Sequence, residues 1–89
     1  MKKKAIAIKY NKQKDIAPRV TAKGRDYLAA KILEIAKSSD IPVYKDGNLA
    51  DKFYRLDLGQ YIPEEFYVVV ATILAWVYSL DKKEAGYNG

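Results

Sequence analysis

Residues 63–80, PEEFYVVVATILAWVYSL, decide how the rest of this chain must fold. From Phe66 to Leu80 there is no charge, no Gly and no Pro, so nothing inside the run interrupts a helix. Pro63 suits a first helical position, and Glu64 and Glu65 lie where the helix dipole favours negative charge. At ~100° per residue, Phe66, Val69, Val70, Ile73, Trp76, Val77 and Leu80 share one broad face. That face reads as core. Val68, Ala71, Thr72, Ala75 and Ser79 make a small, weakly polar remainder, and Tyr67, Leu74 and Tyr78 line one shoulder. The run is too short for a membrane span, which wants roughly 18 or more apolar residues, and charges close both of its ends. A helix apolar on more than one side is either covered twice within its own domain or covered once and offered to a partner. The pattern leaves both open.

The chain upstream must supply the cover. AIAIKY, residues 5–10, reads as a strand with Ile6, Ile8 and Tyr10 on one face and Ala5 and Ala7 on the other. The alanine face is shallow enough for a helix to lie close, and two apolar faces ask for cover on both sides. Residues 11–15 are a polar loop, and Ile16, Ala17 and Pro18 lead into RVTAK, residues 19–23. There Val20 and Ala22 are expected inward, with Arg19, Thr21 and Lys23 toward water. Pro18 lacks an N–H and belongs at a strand start or a sheet edge. Gly24 is expected to end the strand and a helix to follow over 25–38, with Leu28, Leu33, Ile32, Ile35 and Ala36 on its apolar side. IPVY, residues 41–44, reads as a short third strand, joined to the second by a helix of crossover length and therefore parallel to it. A turn at 46–48 opens a shorter helix from Leu49 to Leu56, stopped by Gly59. The expected fold is α/β: a small mixed β-sheet flanked by helices, order β-β-α-β-α-α. It forms one domain over residues 1–83, with a flexible tail over 84–89.

Composition closes most enzyme chemistry. Among the 89 residues there is no Cys and no His, which removes thiolate chemistry, the commonest general base and the commonest metal ligand together. The glycines are isolated, so no phosphate loop is present, and Glu64–Glu65 and the loose set Asp46, Asp51 and Asp57 lack the spacing of an acid/base dyad or a calcium loop. No catalysis, cofactor or metal is expected. The net charge of +5 would suit nucleic acid, and a basic nucleic-acid-binding domain stays the alternative. The lysines are scattered, however, as on an ordinary solvated surface. The apolar run at 5–8 is too short for a secretion signal, which points to the cytoplasm.

The order of short words along the chain carries more. Lys9-Tyr10, Ala17-Pro18, Ala22-Lys23-Gly24, Ile41-Pro42, Leu49-Ala50, Tyr54-Arg55, Gly59-Gln60, Ile62-Pro63 and Ala75-Trp76-Val77-Tyr78 together resemble the cytoplasmic C-terminal domain of the FlhB family, the substrate-specificity switch proteins of type III export. The resemblance runs from about residue 5 to residue 80. In that family the domain follows a four-helix membrane portion and cleaves itself at an Asn-Pro-Thr-His loop. Aligned through Lys9-Tyr10, Met1 falls where that proline would be, Lys2 and Lys3 replace the threonine and histidine, and no Asn-Pro occurs in the sequence. The resemblance therefore implies a small free-standing homologue that acts like the cleaved fragment in trans. Its expected place is beside the export gate at the inner face of the plasma membrane, next to membrane-anchored FlhB and the other export-gate components. It implies an export-substrate patch at Ala17, Pro18, Ala71 and Leu74, which Tyr67 and Tyr78 would flank, for rod- or hook-type subunits. An export regulator that carries no subunits is a further alternative.

Overall fold

The computed structural model describes residues 3–11 and 13–84, with side chains described as far as Leu80. The elements are β1 (Lys4–Lys9), β2 (Arg19–Arg25), α1 (Tyr27–Ser38), α2 (Gly47–Phe53), a 3₁₀ turn (Glu64–Phe66) and α3 (Tyr67–Glu84). β1 and β2 pair antiparallel, Ala5 opposite Gly24 and Ala7 opposite Ala22, with a bulge between Ala7 and Ile8 that brings Ile8 opposite Val20. The bulge leaves Thr21 as the extra residue. Val20 and Ala22 are thereby parted, rather than sharing the one inward face expected from simple alternation. Val20 is fully buried with Phe53, Ile62 and Val70, while Ala22 is half-buried in the alanine and glycine face.

That shallow face receives α1. A Cβ on Gly24 would stand 2.6 Å from Leu28 Cβ and 3.2 Å from Ile32 Cδ1, so only glycine lets the helix approach this closely. Gly24 thus does not end the strand. β2 continues to Arg25, and α1 begins at Tyr27 after Asp26 takes a positive φ of 53°. The opposite face carries the core. Phe53 meets Phe66 edge-on at 5.0 Å, and Ile6, Leu49, Leu56, Val69 and Leu74 pack around the buried cluster.

No third strand forms over 41–44, and among the described residues the sheet is two-stranded and antiparallel rather than mixed. The reason lies at the end of α1. Asp40 turns left-handed with φ 56°, Ile41 N donates to the Ala36 carbonyl at 2.8 Å, and the chain swings away from the sheet. Pro42 then removes a ladder donor, and Tyr44 lies edge-on to Trp76 of α3 at 5.6 Å. The outer edge of β2 is covered instead by residues 59–62. Val20 N donates to Gln60 O at 3.0 Å, Gly59 N to Val20 O at 2.7 Å and Ile62 N to Pro18 O at 2.7 Å. To reach this edge α2 stops at Phe53, three residues before the expected Leu56. Lys23 holds the exit of α2, donating from Nζ to the carbonyls of Tyr54 at 3.1 Å and Leu56 at 2.8 Å.

Pro63 caps the 3₁₀ turn instead of opening the long helix. The α3 residues on the core side are Val69, Val70 and Leu74, below Phe66. The packed face is therefore turned toward the shoulder on which the spacing had placed Leu74. Ile73, Trp76, Val77 and Leu80 are half-buried. α3 extends to Glu84, the first residue of the expected tail, and residues 85–89 lie outside the described residues. Among the described residues no helix is long and apolar enough to cross a membrane.

Two glycines should fail for different reasons. Gly24→Ala forces α1 off the sheet and should cost about 1–3 kcal/mol, as overpacking does. Gly59→Ala meets no atom within 4 Å but holds a side chain at φ +83°, for roughly 1–2 kcal/mol. Gly47→Ala, with open space around it and no positive φ, should be neutral or stabilising in the same urea denaturation series.

Candidate functional site

The Ala17–Pro18 corner is built by the loop between the strands. Asn11 O accepts from Lys14 N at 3.0 Å and Asp15 N at 2.7 Å, while Asn11 N donates to Asp15 Oδ2 at 2.9 Å. Arg19 Nη2 donates to Asp15 Oδ1 at 3.0 Å, and its guanidinium lies 5.1 Å from the centre of the Tyr61 ring. One arginine thus ties the loop to the 59–62 segment. The hydrogen bond from Arg19, helped by the backbone donor of Asn11, holds the Asp15 carboxyl below its ordinary value, and Asp15 in turn raises Arg19.

The six expected site residues fall into three groups. Ala17, at 3% exposure, and Pro18 are buried, sealed where the Pro18 carbonyl receives Ile62. Leu74 is half-buried and packs on the core. Tyr67, Ala71 and Tyr78 are exposed, on one flank of α3 at spacings of four and seven residues. The corner and the flank are joined through the chain itself, since Ile62, bonded to Pro18, leads within five residues into Tyr67. The two most exposed large aliphatic residues were not picked out by spacing or resemblance: Ile16 at 83% beside the corner and Val68 at 82% on α3. Position offered one signal for each. Ile16 sits between a polar loop and a proline, and Val68 is half a turn from the core side.

Other chemistry has little to stand on. Among the described residues no three His, Cys, Asp or Glu side chains are grouped to hold a metal ion, and no buried side-chain polar atom lacks a partner. An open groove beside Lys3, Lys4, Asp46 and Asp51 is bounded by the Lys4–Asp51 ion pair at 2.8 Å. Several cations have internal tasks: Lys4 with Asp51, Lys23 on two carbonyls and Arg19 with Asp15. These contacts reduce the positive charge that could face a phosphate backbone.

The FlhB HrpN YscU SpaS family model matches residues 2–77. The chain belongs to this family. It is 45% identical over 80 residues to the flagellar biosynthetic protein FlhB of Bacillus subtilis (strain 168), a match covering 89% of this chain and 22% of that protein. It spans about a fifth of the length of such FlhB relatives. YlqH of the same organism is 39% identical over 80 residues, a match covering 90% of this chain and 86% of YlqH. The crystal structure of the cytoplasmic domain of FlhB from Shewanella putrefaciens superposes with a TM-score of 0.89 at 38% identity, covering 94% of this chain and 66% of that one. The chain therefore has the fold of an FlhB cytoplasmic domain.

The Asp15–Arg19 pair gives a pH test. Asp15 has a folded-state value below the 3.8 of an ordinary aspartate. Its contribution to stability is present above about pH 4 and fades as pH falls through the lowered value. Carboxyl carbon NMR should show Asp15 titrating below 3.8, and Arg19→Met should return its midpoint upward.

Proposed function

We propose that this protein is a non-enzymatic component of flagellar type III export that acts in trans like the cleaved C-terminal fragment of FlhB. It docks beside the membrane-anchored FlhB at the export gate, on the cytoplasmic face, and holds rod- or hook-type subunits on the outer flank of α3. The observation that carries this reading is an apolar flank left uncovered in a domain of this family: Tyr67, Ala71 and Tyr78 stay exposed while Leu74 beneath them anchors the helix. Ala17 and Pro18 serve as the rigid floor of the corner, and Ile16 at its rim supplies the accessible surface. A patch this small binds weakly, with Kd above about 1 µM, as a transient handover requires.

The test sets neighbouring residues against each other. The amide NMR shifts caused by an N-terminal peptide of a rod or hook subunit should gather at Ile16, Tyr67, Ala71 and Tyr78. Ala71→Asp, at an exposed position, should weaken binding at least about tenfold, or 1.4 kcal/mol, with the thermal midpoint nearly unchanged. Val70→Asp buries a charge at a site 6% exposed and should unfold the domain. Shifts confined to another surface, or full affinity in the Ala71 variant, would remove α3 from the docking site.

A further inference from the structure

We propose that the outer edge of β1 takes on a further strand, an extended segment of a different protein that is apolar at alternate residues and acidic at both ends. The outer edge of β2 is covered by residues 59–62, but among the described residues no backbone hydrogen bond reaches the outer edge of β1. The phase of the ladder fixes which groups lie there. Asp26 N donates to Lys3 O at 2.7 Å, so the odd residues Ala5 and Ala7 turn their backbone groups to Gly24 and Ala22 of β2. Val20, opposite Ile8, spends its own N–H and carbonyl on Gln60 and Gly59, so that pair exchanges no bond. Lys4, Ile6 and Ile8 therefore present N–H and C=O groups outward, at every second residue of an extended chain. The bulge puts its extra residue on β2, which keeps β1 in strict alternation. At one end of this edge an open groove lies between Lys3, Lys4 and the start of α2.

The spacing and charge of the edge select the occupant. An extended backbone repeats its donors and acceptors at this two-residue interval, whereas a helix has spent its own internally. Directly opposed residues share a face, so the incoming strand sets apolar side chains beside Ile6 and the exposed Ile8, and small ones beside Ala5 and Ala7. Lys3 and Lys9 close the two ends. Both are exposed, neither has an ion pair among the described residues, and β1 itself carries no acid. A carboxylate at each end of the guest answers both lysines. A second copy of this chain is the wrong guest. Laid antiparallel with its own Ile8, Ile6 and Lys4 opposite Lys4, Ile6 and Ile8, it sets Lys3 against Lys9 at both ends. This edge lies on a different element from the α3 flank, so the added strand does not rest on subunit docking.

Amide hydrogen exchange and NMR on the full chain test the edge. In dilute protein the amides of Ile6 and Ile8 should exchange at least about tenfold faster than those of Ala5 and Ala7. The probe is the peptide acetyl-Glu-Val-Thr-Val-Thr-Val-Glu-amide, which reads the same in both directions and so fits either strand orientation. Added at millimolar concentration, it should slow exchange at Ile6 and Ile8 about tenfold and move their shifts more than any on α3. The same peptide with lysine at both ends should bind about tenfold more weakly, and the double variant Lys3→Glu, Lys9→Glu should reverse that preference. Amides of Ile6 and Ile8 already protected in the dilute chain, or unmoved by the peptide, overturn the added strand. Protection that grows with protein concentration alone gives the edge to a second copy and overturns the foreign guest. Equal affinity for the two peptides overturns its acidic ends. None of these measurements contains an export subunit, so their failure leaves the docking reading standing, and failure of docking leaves the added strand standing.

Discussion

Three backbone hydrogen bonds along the outer edge of β2 hold this domain together. Two strands alone would leave that edge raw, and a two-stranded ribbon has marginal stability in water. The 59–62 segment lies along it, and in doing so carries Ile62 down against Val20, leaving the two side chains 1% and 0% exposed. Everything downstream takes its direction from that docking. The 3₁₀ turn starts two residues after Ile62, and α3 leaves the turn with Val70 and Leu74 already over the core. Arg19 reinforces the same joint from the side, through Tyr61 and Asp15.

The two faces of the ribbon solve different packing problems. On one, alanine and glycine are small enough to admit a helix at close range, with Ala29 of α1 wholly buried against them. On the other, branched and aromatic side chains fill the space under α2 and the start of α3. A small domain has few residues to spend on a core. Here Val70 is the buried residue of α3, Ile73, Leu74, Trp76, Val77 and Leu80 are half-buried, and Tyr67, Val68, Ala71, Ala75 and Tyr78 are left exposed. The surplus on α3 is thus a product of the fold's economy, and it supplies the surface on which the proposed docking draws.

Much of this was legible in the residues. The long helix, the α1 stretch and both strands announced themselves by spacing, and the word order along the chain pointed to the family. The third strand misled because a four-residue apolar run holding a proline looks alike whether it pairs or wraps. The 59–62 rung stayed invisible because Gly59, Gln60, Tyr61 and Ile62 show no alternation, and their partners lie some forty residues away. The core side of the 3₁₀ turn and α3 passes through Phe66, Val70 and Leu74, each four residues from the last, so Leu74 lies at the edge of the packed stripe that the count had centred nearer Ile73. At the candidate site, the exposure of Tyr67 and Tyr78 could be guessed from their shoulder. The burial of Ala17 and Pro18 could not, since it depends on a hydrogen bond from Ile62 that no local pattern encodes.

The edge-on meeting of Tyr44 with Trp76 has an optical consequence. Trp76 is the chain's one indole, and it sits where the connector after α1 touches the middle of α3. Any ligand that tilts the helix must change the surroundings of that ring. The emission of a single fluorophore, built into the native sequence, therefore records the angle of the helix without a label.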